Sequence, residues 1–284
     1  NVTGSYVARI YDPDSVVLSE DGMTVEDSEK LHKYDGAFYS KMSMNVDGGE
    51  AGTGVLNITA DNEGLDTELH LTINGGTINI TSGNDGINTN EDNVSVTTVN
   101  GGSVNIQVAG ETGEGDGIDS NGTVSMSGGT LVVFGPTSNR DGALDYDISF
   151  AMCGGTLIAL GSRGMAQAPS TLSQPCLSVY NKVSAGSTIE VRDADGADII
   201  STVTPKDCES LIFSSKDFLP GSSYSIYADD ILLTTVTATD GVSGGGASGS
   251  GSGTWNQDGG SWVRSDSGFG SNKDFTHPDR PVDI

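Results

Sequence analysis

The chain repeats itself, and a repeat of this length leaves few folds open. Four segments align: Asn74-Gly-Gly-Thr-Ile-Asn-Ile80, Asn100-Gly-Gly-Ser-Val-Asn-Ile106, Ser127-Gly-Gly-Thr-Leu-Val-Val133 and Cys153-Gly-Gly-Thr-Leu-Ile-Ala159. Their first glycines, Gly75, Gly101, Gly128 and Gly154, are 26, 27 and 26 residues apart. A second series interleaves with them: Glu63-Gly-Leu-Asp66, Asp85-Gly-Ile-Asn88, Asp116-Gly-Ile-Asp119 and Asp141-Gly-Ala-Leu-Asp145. Periods in the twenties belong to solenoids, in which each unit buries its apolar side only against its neighbours. No leucine-rich consensus is present and no 3.6-residue periodicity fills the gaps, which excludes leucine-rich and helical arrays. Short β-branched clusters such as Thr77-Ile-Asn-Ile80 alternate apolar and polar residues as strands do. The expected fold is all-β: a right-handed parallel β-helix in which each period reads as turn, short strand, Gly-Gly turn, short strand.

Domain organisation follows from where the repeat holds. Residues 1–40, with the strand-like Tyr6-Val-Ala-Arg-Ile-Tyr11, are expected to cap the N-terminal end. Residues 41–183 are expected to carry the regular rungs, with insertions at Glu91-Asp-Asn93 and Glu111-Thr-Gly-Glu114. Beyond Gly161 the repeat degrades, and residues 184–240 are expected as irregular final rungs or a small β cap. The Gly/Ser run from Gly241 reads as linker. The tail after it, with Trp255, Trp262 and Phe269, is expected to be flexible or partly docked. The first residue is Asn1 rather than Met, which suggests a trimmed form.

Charge narrows the partners. With 13 Lys and Arg against 39 Asp and Glu, the formal net charge is −26. Nucleic acid, whose phosphates demand a basic footprint, is excluded, and an anionic membrane surface is disfavoured. No apolar run approaches the length needed to span a bilayer. Of the three cysteines, Cys153 stands where other repeats have Asn or Ser and is expected to be buried and inert. A Cys176–Cys208 disulfide is one possibility for the other two.

If rungs stack, so do the residues Asp66, Asp85, Asn88, Asp116, Asp119, Asp141 and Asp145. Two bare carboxylates ~5 Å apart repel by roughly 3 kcal/mol at an effective dielectric of 20, and a ladder repeats that cost. A bridging cation removes it. Calcium takes oxygen ligands at about 2.3–2.6 Å, so two oxygens on one ion lie up to about 5 Å apart, close to the rung spacing. These seven residues are therefore the candidate Ca2+ ligands, against the plainer reading that Asp-Gly and Asn-Gly are turn chemistry with solvated carboxylates. His32, His70 and His277 show no ligand spacing. The Asn-x-Ser/Thr sequons at Asn1, Asn57, Asn79, Asn93 and Asn121 follow from composition.

The stretch from Asp35-Gly-Ala-Phe-Tyr-Ser-Lys41 through the Gly-Leu-Asp, Asp-Gly-Ile and Asn-Gly-Gly-Thr-Ile repeats resembles a bacterial carbohydrate-binding β-helix family similar in fold to calcium-dependent pectate lyases. Val191-Arg-Asp-Ala-Asp-Gly196, Ser210-Leu-Ile-Phe-Ser-Ser215 and the Gly-rich run after Val242 extend the likeness over most of residues 30 to 250. The resemblance implies a secreted or cell-surface bacterial protein that binds cellulose-like or acidic plant cell-wall polysaccharide and holds calcium in Asp-rich turns. Asn88 departs from the acidic pattern and lowers the charge there. A non-catalytic monomer is expected. A lyase would need a basic residue on the helix, and between residues 45 and 180 only Arg140 and Arg163 are available, with Arg140 the better placed beside Asp141. Gly115-Asp-Gly-Ile-Asp119 echoes polygalacturonases, but no His lies between His70 and His277 and no Arg-x-Lys occurs, so hydrolysis lacks its companion groups. The alternatives are a calcium-dependent pectin-type lyase or hydrolase and a cell-surface structural or adhesive β-helix. Phe134, Tyr146 and Phe150 are expected in the core, and no glycan-contacting residue is assigned.

Overall fold

The computed structural model describes residues 1–4, 36–49, 52–109 and 115–249, with short strand segments on either side. Among them there are strands and turns but no helix. Most of the expected N-terminal cap, the Glu111–Glu114 insertion and Phe269 lie outside the described residues. The side chains of Trp255 and Trp262 do as well.

The repeat winds into a parallel β-helix with three strands per rung. One sheet stacks Val55–Ala60, Thr77–Ser82, Ser103–Val108, Thr130–Phe134 and Thr156–Gly161 in parallel register. A second stacks Ser43–Val46, His70–Ile73, Val96–Val99, Thr123–Met126, Ser149–Met152 and Thr171–Leu172. The third stacks Gly36–Ser40, Glu63–Thr67, Ile87–Thr89, Ile118–Ser120 and Leu144–Tyr146. This third face corrects the expectation of two strands per period: the acidic Asp-Gly-Ile-Asp motif is not a turn but the start of a strand. A three-residue strand is too short to show alternation, so composition alone reads it as a turn.

Alternation does the rest. Ile78, Ile80, Val104, Ile106, Leu131 and Val133 point inward and are at most 2% exposed. Beneath them Leu65, Ile87, Ile118 and Leu144 fill the axis. Tyr146 and Phe150 are core residues, packed edge-to-face with centroids 6.1 Å apart. The Gly-Gly pairs serve two purposes. The second glycine of each, Gly76, Gly102, Gly129 and Gly155, has φ between 78° and 90°, the left-handed region that costs other residues energy. The first approaches the rung below so closely that a Cβ on Gly101 would sit 2.7 Å from the Asn74 carbonyl oxygen.

After the fifth rung the first sheet changes direction. Cys208–Ser215 pairs antiparallel to Thr156–Gly161, and Cys176–Val183 pairs antiparallel to Cys208–Ser215. A four-stranded antiparallel sheet, Asp198–Val203, Thr188–Arg192, Ser223–Ala228 and Ile231–Thr237, accompanies this extension. Ile158, Leu160, Val179, Leu211 and Phe213 share a second core with Ile189, Val191 and Ile226 from that sheet. The chain is thus a β-helix whose last rungs carry a small sandwich on their outer side.

Two cysteine expectations are corrected. Cys153 is exposed, because its position lies on the outer corner of the Gly-Gly turn. Cys176 and Cys208 are both free and buried. They sit at opposite ends of adjacent strands, Cys176 facing Ser214 and Cys208 facing Val183, so no disulfide can close between them.

Candidate functional site

The third face carries the acidic residues in two rows. In the first, Tyr39, Asp66, Asn88, Asp119 and Asp145 are in register across five strands, about 4.8 Å from rung to rung. Two of the row's carboxylates accept from side-chain amides: Asn90 Nδ2 donates to Asp66 Oδ1 at 2.6 Å, and Gln167 Nε2 donates to Asp145 Oδ1 at 2.9 Å. Tyr39 donates its hydroxyl hydrogen to Glu68 Oε1 at 2.7 Å.

The second row stands at the start of the motif. Glu63, Asp85 and Asp116 are buried at 6%, 7% and 7% exposure. Asp85 Oδ1 accepts the backbone N–H of Asp116 at 2.6 Å, and Asp116 Oδ1 accepts the N–H of Gly142 at 2.5 Å. Each carboxylate therefore caps the amide of the residue stacked on it. The fourth repeat has one residue more than the others, Asp-Gly-Ala-Leu-Asp, and the ladder absorbs it ahead of the strand. The N–H of Gly117 donates to the Gly142 carbonyl as that of Gly86 does to the Asp116 carbonyl. Gly142, not Asp141, consequently continues the row. The one-residue offset of Asp141 was written in the sequence spacing, Asp141 to Asp145 against Asp116 to Asp119.

Electrostatics marks the second row. Burial pushes the Asp85 carboxyl well above the ordinary carboxylate range, and the negative charges of Glu63, Asp141 and Asp145 push further. Burial does the same for Asp116, reinforced by Asp145, Asp119 and Asp85. Such carboxyls either take up a proton or need a cation. At the break in the first row, Asn88 donates its Nδ2 to Glu63 Oε1 at 3.0 Å, while its buried Oδ1 has no hydrogen-bond partner. Sequence reading found the residue but not this orphaned oxygen, which only the stacking creates.

The donor chemistry suits a hard, oxygen-loving cation: carboxylates, an amide oxygen with nothing to accept, and no sulfur or imidazole among these rows. Among the described residues no three Asp, Glu, His or Cys side chains converge as a closed metal cage. Any ion would have to be held by pairs of side chains on successive rungs, with main-chain or external oxygens completing its shell. Arg140, the one candidate catalytic base, is exposed in the segment between the fourth rung's strands. Arg163 lies over the Tyr180 ring, its guanidinium carbon 4.5 Å from the centroid.

The parallel β-helix thus presents stacked polar rows along its third face. Residues 9–218 match the model of the carbohydrate-binding domain-containing protein family, and the chain belongs to that family. No curated protein and no solved structure matches the chain.

Proposed function

We propose that the protein is a secreted or cell-surface, non-catalytic module that binds plant cell-wall polysaccharide, with calcium held along the acidic rows. The observation that carries this reading is the pair of buried carboxyls Asp85 and Asp116, stacked one rung apart, with the orphaned Oδ1 of Asn88 on the same face. Asp85 and Asp116 would hold an ion from one row, with Asn88, Asp119 and Asp145 on the neighbouring row. Calcium held there would supply the positive charge that neutralises the rows and attracts uronate oxygens to a protein of charge −26. The chain's own residues then fix the ion spacing through the rung spacing and orient the glycan along the helix axis.

The test is calorimetric titration of chelator-stripped protein with calcium, followed by retention on polygalacturonate and cellulose with and without the ion. Saturable uptake and calcium-dependent retention, both weakened at least tenfold in Asp116→Asn, are expected. No uptake, with retention indifferent to chelator, would remove calcium from the reading. Unsaturated products released from polygalacturonate would overturn its non-catalytic part.

A further inference from the structure

The acidic rows do not account for a recess elsewhere on the molecule. Where the last β-helix rungs meet the antiparallel extension, a cleft of about 550 Å³ opens between the corner of the Gly154-Gly155 turn and the strand end at Lys216. That volume lies within the 300–1,000 Å³ typical of small-ligand sites. Its apolar part is formed by Pro175, Pro220 and Leu172, and its charged groups are one cation, Lys216, and one anion, Asp240. In a chain with a formal charge of −26, this is a charge-balanced recess.

One polar group on its wall is held unusually firmly. Gln174 is 8% exposed, and its Nε2 donates to the Gly155 carbonyl at 3.0 Å and to Ser214 Oγ at 2.9 Å. Both amide hydrogens are thereby spent, and the open acceptor of this amide is Oε1, fixed in place at the cleft. A polar track also leads to the recess. On the outer corner of the Gly-Gly turns Asn74 donates to Asp47 at 2.7 Å, Asn100 to Asn74 at 2.9 Å and Ser127 to Asn100 at 2.9 Å. Ser127 lines the cleft, and so does Cys153, the next residue in the same row.

From this geometry we infer that the cleft is a second binding site, for an uncharged oligosaccharide whose chain runs along the Asp47–Asn74–Asn100–Ser127 track. The inference rests on the carbohydrate-binding reading and adds a site to it. The fixed acceptor at Gln174 and the exposed carboxylate of Asp240 receive sugar hydroxyl hydrogens, Lys216 donates to ring or hydroxyl oxygens, and the prolines take the C–H face. A polyuronate finds one ammonium here, already 2.8 Å from Asp217, and no excess positive charge. The cleft therefore selects against the acidic sugars that calcium would recruit to the third face.

Cys153 reports on occupancy. It is the exposed thiol, whereas burial raises Cys176 to about 12 and Cys208 to about 11, leaving both inert at neutral pH. The experiment measures the rate of Cys153 alkylation by iodoacetamide in the full chain with chelator present. It compares no sugar, cellotetraose, xylotetraose and trigalacturonate, with binding of each sugar measured calorimetrically in parallel. A neutral tetrasaccharide at saturation is expected to slow alkylation at least fivefold, and trigalacturonate to leave it unchanged. Asp240→Ala, an exposed substitution that spares the core, is expected to weaken the neutral sugar at least fivefold and to leave calcium-dependent retention on polygalacturonate as it was. Calorimetric binding of a neutral sugar without protection of Cys153 would overturn the cleft while leaving the carbohydrate-binding reading intact. If none of the sugars bound calorimetrically, with chelator or with added calcium, both would fall.

Discussion

At the scale of single residues, the third face depends on glycines that are there for space. A Cβ on Gly64, Gly86 or Gly117 would meet Ile80 at 2.4 Å, Ile106 at 2.2 Å or Val133 at 2.1 Å, and the carbonyl of the next rung at 2.4–2.6 Å. Ile80, Ile106, Val133 and Ala159 are in register in the first sheet. Where that row shrinks to Ala159, the motif carries Ala143 in place of glycine, so the two positions vary together. Gly117→Ala is expected to lower stability by about 1–3 kcal/mol through overpacking. Adding Val133→Ala should recover part of that loss, because it removes the side-chain clash but not the carbonyl contact. Urea unfolding of the two single variants and the double variant measures the coupling. Strict additivity would show that the contact does not govern the site.

At the scale of elements, the decisive feature is that one sheet serves two cores. The inner side of Thr130–Phe134 and Thr156–Gly161 lines the β-helix. Their outer side, through Val132, Phe134, Ile158 and Leu160, packs on the sandwich. Lys206 ties the junction. Its Nζ donates to the Gly135 carbonyl at 3.0 Å and to the Val108 carbonyl, both at ends of the first sheet's strands. Burial lowers the Lys206 pKa, so this tie holds a partly desolvated charge. Lys206→Met should keep the aliphatic packing and orphan two carbonyls, at a cost of about 1–3 kcal/mol. Hydrogen exchange is expected to rise first around Val108 and Gly135. An unchanged exchange pattern there would show that the sandwich docks through its apolar core alone.

At the scale of the whole molecule, charge sets the response to solution conditions. Asp85 and Asp116 have folded-state pKa values above their unfolded ones. Between those values the folded state binds more protons than the unfolded state, so stability falls as pH rises through the window. The loss is ~1.4 kcal/mol for each pK unit by which a carboxyl is raised. In chelator the melting temperature is therefore expected to fall from pH 4.5 toward pH 8, and in Asp116→Asn to fall less steeply. A flat profile would mean that the buried row is already neutralised by contacts within the chain. Millimolar calcium should raise the melting temperature at pH 7.5 more than sodium chloride of equal ionic strength, since screening acts on the net charge and ligation on the rows.

How much of this was legible beforehand depends on the range of the interaction. The period of 26 and 27 residues, the inward Ile and Val positions and the Gly-Gly corners are local, and local chemistry determines them: a chain with that repeat can bury its apolar residues only by stacking. The acidic residues were visible for the same reason, since each stands at a fixed place in its repeat. Only the tertiary structure decided that their motif starts a third strand, on which side of the extra residue the ladder realigns so that Gly142 continues the buried row, and that Asn88 is left with an unpartnered oxygen. Each of these depends on the register between neighbouring rungs. The antiparallel reversal at Thr156–Gly161, the separation of Cys176 from Cys208 and the cleft at Gln174 were equally hidden. They arise where strands distant in sequence share a sheet, and contacts of that kind leave no period to read.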